Sequence, residues 1–172
     1  MKKTVLFTLL AIVGVTISFQ SCSKKEETPV VNEFIADDNS FKNFMTWPLE
    51  ATNQGPDPAL GTAHAGNDST VVRKIYFQNG QNAVNGKYPV GTMIVKHSTN
   101  PAASVNEFTA LAKRGNNFNP SGGDWEWFML MPDGTIATDP SSGMKMRGAS
   151  LMNGMCVSCH SQASSKDYVF SK

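Results

Sequence analysis

Trp125-Glu126-Trp127-Phe128-Met129-Leu130-Met131 is apolar at every position but one. A run of this kind, rich in aromatics and stopped by the turn Pro132-Asp133-Gly134, predicts a β-strand. Apart from Glu126 neither alternate set of side chains is polar, so both faces need cover and the strand is expected in the middle of a sheet. Upstream, Gly115 to Asp124 (Gly-Asn-Asn-Phe-Asn-Pro-Ser-Gly-Gly-Asp) is a long turn. Val105 to Arg114, before it, fits two templates. Ser104 and Glu107 make a capping box, with Val105, Phe108, Leu111 and Ala112 on a helical stripe. Phe108, Ala110 and Ala112 also alternate as a strand would. Further upstream, Gly91 to Ser98 and Val71 to Gln78 are rich in β-branched residues and predict strands. In the first, Thr92, Ile94 and Lys96 share one face, while Met93, Val95 and His97 share the other. In the second, Val71, Arg73, Ile75 and Phe77 share a face. Asp38 to Met45 is expected to be a short helix and Trp47 to Thr52 a strand. Gln54 to Ser69, which contains His64, reads as loop. Ala149 to Met155 is expected to form a short helix, and Lys166 to Phe170 a short strand or an apolar lid.

That expected helix leads into Cys156-Val157-Ser158-Cys159-His160. Cys-x-x-Cys-His is the attachment signature of a c-type haem. Two thiols three residues apart reach the two vinyl groups of one porphyrin, and the adjacent histidine supplies a nitrogen to iron. On this reading Cys156 and Cys159 are thioether anchors and His160 is the axial ligand of one covalently attached haem c. The competing reading is half a zinc site, which would have to recruit two of His64, His97 and His160. No methionine follows His160, so any ligand on the other haem face comes from earlier in the chain. His64, His97, Met129 and Met131 are the candidates, although methionines in such a strand are ordinarily core. Arg73 is either an edge arginine whose stem reaches solvent or a cation for a haem propionate or a polar distal ligand. Lys96, by spacing alone, reads as a surface lysine.

The N-terminus adds a compartment. Met1-Lys2-Lys3 and the apolar run Val5 to Phe19 form a signal peptide, too short for a comfortable membrane span. It ends at Ser21-Cys22, which resembles a bacterial lipoprotein box with Cys22 as the acylated residue. Phe19 and Gln20 depart from the commonest box, and the alternative is a plain secreted protein. Residues 1–21 are thus expected to be removed, 22–32 to be a polar tether, and 33–172 to be the haem domain. Lys24-Lys25-Glu26-Glu27 is either a surface-export signal or a solvated linker. Three cysteines, one on lipid and two on haem, leave none for a disulfide. Attachment of haem c outside the cytoplasmic membrane agrees with export. A formal net charge of +1 gives no basic footprint for nucleic acid. Charged residues make up only 17% of the chain, which argues against a disordered polyelectrolyte.

Four stretches together resemble the cytochrome P-460 family. They are Val72 to Phe77; Tyr88-Pro89-Val90-Gly91-Thr92-Met93-Ile94-Val95-Lys96; Lys113-Arg114 through Gly123-Asp124-Trp125-Glu126-Trp127-Phe128; and Cys156 to His160 with Asp167-Tyr168-Val169-Phe170. The resemblance implies an α+β domain, mainly an antiparallel β-sheet with flanking short helices, carrying one haem c. It also favours the strand over the helix for Val105 to Arg114. In the family's namesake enzymes the lysine at the position of Lys96 is bonded to a haem meso carbon and the reaction is hydroxylamine oxidation. The related cytochromes c′-beta lack that bond and bind nitric oxide under an apolar cap. Three functions follow as expectations. One is an oxidoreductase acting on hydroxylamine or nitric oxide, with electrons passed to a redox partner. Another is a gas-binding module capped by residues such as Phe77. The last is plain electron transfer with a sixth ligand. In each case the protein is expected in the bacterial envelope, lipid-anchored at the outer membrane.

Overall fold

The structure, a computed structural model, describes residues 32–170. The expectations for the signal peptide, for Cys22 and for most of the tether lie outside those residues. Six strands form one antiparallel sheet whose spatial order is the chain order: β1 (Leu49–Gln54), β2 (Val72–Phe77), β3 (Met93–Thr99), β4 (Asn106–Lys113), β5 (Trp125–Met129) and β6 (Arg147–Gly148). Among the described residues, one α-helix, α1 (Met155–His160), and several 3-10 turns accompany the sheet.

Register assigns each strand residue to one of two faces. Tyr76 pairs with Val95, Val95 with Ala110 and Ala110 with Phe128, which makes the back face. There Phe41 and Phe44, both fully buried, close a core with Tyr76, Val95, Phe108 and Phe128. Phe41 stacks obliquely on Phe128 at 5.0 Å, and Phe44 meets Tyr76 and Phe108 edge-on at 5.8 and 5.9 Å. Burying an aromatic of this size contributes about 2–3 kcal/mol. On the front face, Ile75 pairs with Lys96, Lys96 with Thr109 and Thr109 with Met129. Phe77, Ile94, Leu111 and Trp127 continue that face and form a second apolar cluster with Tyr88, Trp125 and Val169.

Val105 to Arg114 is strand β4, and the capping box does not form: Ser104 Oγ accepts from Asn100 Nδ2 at 2.9 Å instead. Asp38 to Met45 is not a helix. Asp37 accepts from the Asn39 amide and from Ser40 Oγ in a tight turn, and Asn43, at φ 58°, precedes a 3-10 turn over Phe44–Thr46. The expected strand Trp125 to Met131 ends at Met129; Leu130 only bridges to Ile136. β5 is also less central than expected, since its outer neighbour β6 has only two residues. Glu126, on the back face, is 2% exposed. Its carboxylate accepts from Arg147 Nε at 2.7 Å and Nη2 at 2.8 Å, which explains a charge inside an apolar strand. Ala149 to Met155 is a chain of turns rather than a helix, because Met152, Asn153 and Gly154 all take positive φ. The helix begins one residue before the first cysteine and contains the motif itself.

Candidate functional site

A cleft with about 1010 Å³ of non-protein space lies between the front face and α1. Its sheet wall is Ile75, Ile94, Lys96, Glu107, Thr109, Leu111, Trp127 and Met129, and its helix wall is Met155, Cys156, Cys159 and His160. Its lining is mostly apolar, with a few polar groups placed along it, which suits a flat, largely apolar ring. Both thiols of Cys156 and Cys159 are free and half-buried. Burial pushes the Cys156 thiol above its ordinary range.

His160 is oriented from behind. Its Nδ1 lies 2.7 Å from the Tyr168 carbonyl oxygen. A carbonyl only accepts, so Nδ1 carries the proton and Nε2 keeps its lone pair. Burial lowers the imidazole to about 4, so the ring is neutral at physiological pH. Trp127 at 4.6 Å and Phe170 at 5.2 Å flank it. A neutral imidazole fixed through Nδ1 is the form that ligates a metal.

Lys96 is half-buried and lines the cleft, not the surface as its spacing alone suggests. Burial depresses its amine below the ordinary lysine range, only partly offset by the Glu107 charge. Glu107 has the opposite balance. Burial pushes its carboxyl up, but the bond to His64, the His64 charge and Lys96 outweigh this and hold it below the usual range. His64 Nδ1 is 3.0 Å from Glu107 Oε2, and the backbone of His64 is left-handed at φ 51°. The cleft therefore contains an amine, a carboxylate and an imidazole opposite the thiols. Sequence reading missed Glu107, whose partner lies 43 residues away. The available signal was that Glu107, Thr109 and Leu111 share one strand face.

The other candidates separate. His97 is on the back face, stacked on Phe108 at 4.3 Å with Nε2 2.9 Å from Asn106 Oδ1, and does not reach the cleft. Met129 lines the cleft, whereas Met131 is 49% exposed rather than core. Phe77, expected as a cap, is fully buried against Tyr88 at 5.8 Å. Arg73 is 2% exposed, so the edge-arginine reading is wrong. Its Nη2 donates to the Gly55 carbonyl at 2.5 Å, and its buried Nε has no hydrogen-bond partner among the described residues. It lines a smaller recess, with Ile75, Lys96 and Phe170 shared between recess and cleft. The zinc reading finds no cluster of three or more His, Cys, Asp or Glu among the described residues.

The geometry defines a class: a protein in which the front face of an antiparallel sheet and a Cys-x-x-Cys-His helix line a mostly apolar cleft, with His160 held at its wall through Nδ1. The family model described as Cytochrome P460 matches residues 41–171, and the chain belongs to that family. Membership implies a haem cofactor, and the donor set fits one: two free thiols on one helix beside an imidazole with an unprotonated Nε2. No curated protein and no solved structure matched the chain.

Proposed function

We propose that this protein is a mono-haem c-type cytochrome of the bacterial cell envelope, lipid-anchored through Cys22, that oxidises hydroxylamine or handles nitric oxide. Cys156 and Cys159 hold the haem covalently and His160 ligates iron through Nε2. When bound, the haem would supply a coordination position for a small nitrogen compound and would relay the electrons of its oxidation, one at a time, to a redox partner.

The observation that carries this reading is Lys96, whose desolvated amine faces the same cleft as the motif. As the amine in the cleft, at the position where the family's namesake enzymes carry a cross-linked lysine, it is the residue that would bond to the ring. Glu107, ionised and paired with His64, is placed to take a proton from a substrate N–H or O–H. Arg73 directs a cation with an unpaired Nε into the adjoining recess, where a propionate would complete it. The absorption spectrum of the haem-matured protein tests the reading. A strongly red-shifted Soret band that reverts in Lys96→Ala, with loss of hydroxylamine turnover, is expected. An unchanged spectrum and turnover in that variant would overturn it.

A second reading, reversible nitric oxide binding, draws on the apolar sheet wall of Ile75, Ile94, Leu111 and Trp127. Failure of the ferrous protein to bind nitric oxide would remove it.

A further inference from the structure

The Tyr168 carbonyl that orients His160 is itself held by a buried ion pair outside the cleft. Lys113 and Asp167 are 7% and 4% exposed. Lys113 Nζ donates to Asp167 Oδ1 at 2.8 Å and Oδ2 at 2.7 Å, and to the Gly123 carbonyl at 2.6 Å. The Tyr88 amide donates to Asp167 Oδ2 at 2.8 Å. Trp125 Nε1 donates to the Asp167 carbonyl at 2.7 Å, while Lys113 Nζ lies 5.1 Å from the Trp125 ring centroid. Asp167 is thus tied through both its side chain and its backbone to three separate segments of the domain.

This clamp coincides with unusual backbone. Asp167 and Tyr168 stand at φ 53° and 67°, consecutive left-handed positions with no glycine. For a residue as bulky as tyrosine this conformation persists only where the surroundings impose it. Gly123 is part of the imposition: at φ +62°, a Cβ there would lie 2.7 Å from Tyr168 Cδ2 and 3.1 Å from Asp167 Oδ1. The result is a Tyr168 carbonyl turned onto His160 Nδ1 at 2.7 Å.

We infer that the Lys113–Asp167 pair is a positioning device for His160, fixing the Tyr168 carbonyl and through it the direction and donor strength of Nε2 toward iron. A short bond from Nδ1–H to a fixed acceptor makes the opposite nitrogen more basic. The inference rests on the haem reading proposed above.

The test uses the haem-loaded protein and two readouts: the iron–histidine stretching band of the ferrous form and the midpoint potential. Asp167→Asn keeps the side chain's size and removes its charge. It is expected to move the band to lower frequency and to raise the potential. Gly123→Ala presses on Tyr168 without unpairing a buried charge and is expected to shift both in the same direction. Lys145→Met breaks the half-exposed Lys145–Asp38 pair, 2.9 Å long and outside the tail, and leaves both unchanged. A folded Asp167→Asn protein with the wild-type band and potential overturns the inference. If that variant does not fold, an unchanged Gly123→Ala protein overturns it. Equal shifts in Lys145→Met overturn it too, by showing general loosening. A wild-type protein without the band sinks the haem-ligand reading and the inference together, whereas a wild-type band that the variants leave unmoved sinks the inference alone.

Discussion

Removing the two cleft thiols, the proposed haem anchors, measures how deeply His160 is built into the cleft. In Cys156→Ala/Cys159→Ala the imidazole stays beside Trp127 with Nδ1 bonded to Tyr168 and Nε2 free to titrate. The back core of twelve residues lies on the other side of the sheet, so the haem-free chain is expected to remain folded. Burial holds His160 at about 4 against an ordinary 6.5. As pH falls, the unfolded chain therefore takes the proton first. Between 6.5 and 4 the unfolded state binds more protons, and stability drops with falling pH. The contribution is complete above 6.5 and gone by about 4. Integration gives a loss of about 2 kcal/mol between pH 7 and 5, and about 3 kcal/mol by pH 4. With a urea dependence of about 2 kcal/mol per molar, the unfolding midpoint falls by about 1 M between pH 7 and 5. At pH 5 the hydrogen-bonded carboxylates Asp37, Asp68, Asp133 and Asp139, all held below their usual range, are still ionised and do not contribute. Adding His160→Gln should flatten the profile, and the haem-loaded protein, with Nε2 on iron, should show none of this loss. A midpoint that does not move in the haem-free protein, or moves equally in the haem-loaded one, would refute the reasoning.

Glu107→Gln keeps the side chain's shape and removes its capacity to accept a proton. Hydroxylamine turnover is expected to fall about 10²- to 10⁴-fold while ferrous nitric oxide affinity holds, as stopped-flow and titration would show. Arg147→Ala leaves the buried Glu126 carboxylate with only a 3.4 Å contact from Arg114. That costs about 3 kcal/mol, and calorimetry should find the melting temperature roughly 10 °C lower.

The strands were legible because their faces differ in kind: Met93 and Val95 point into an aromatic core, while Ile94 and Lys96 point into the cleft. β4 was the hardest. With Phe108 and Ala110 buried on one face and Leu111 on the other, its apolar residues do not alternate cleanly, and a helical stripe fits them as well. Family resemblance, not periodicity, favoured the strand. Asp38 to Met45 and Ala149 to Met155 failed for a different reason. Phe41, Phe44 and Met45 have helical spacing, but Asn43 takes left-handed backbone, as do Met152 and Asn153 in the second stretch, and apolar patterning does not register this. In the cleft, the motif residues could be named from spacing alone. Glu107 and His64 could not, since only the folded sheet brings them together. Arg73 showed its odd position in the strand but not its burial, which depends on the loop carbonyl at Gly55.

The order of the sheet bears on how the protein is assembled. Every strand lies beside its chain neighbour, so a chain emerging from its N-terminus meets each pairing partner already in place. Cys156, Cys159 and His160 emerge only after β6, and Lys113, Trp125 and Tyr88 are waiting when Asp167 follows. On the proposed covalent attachment, the two thiols would stay reachable until Asp167 docks on Lys113, and that docking would be the step that closes the cleft around the ring.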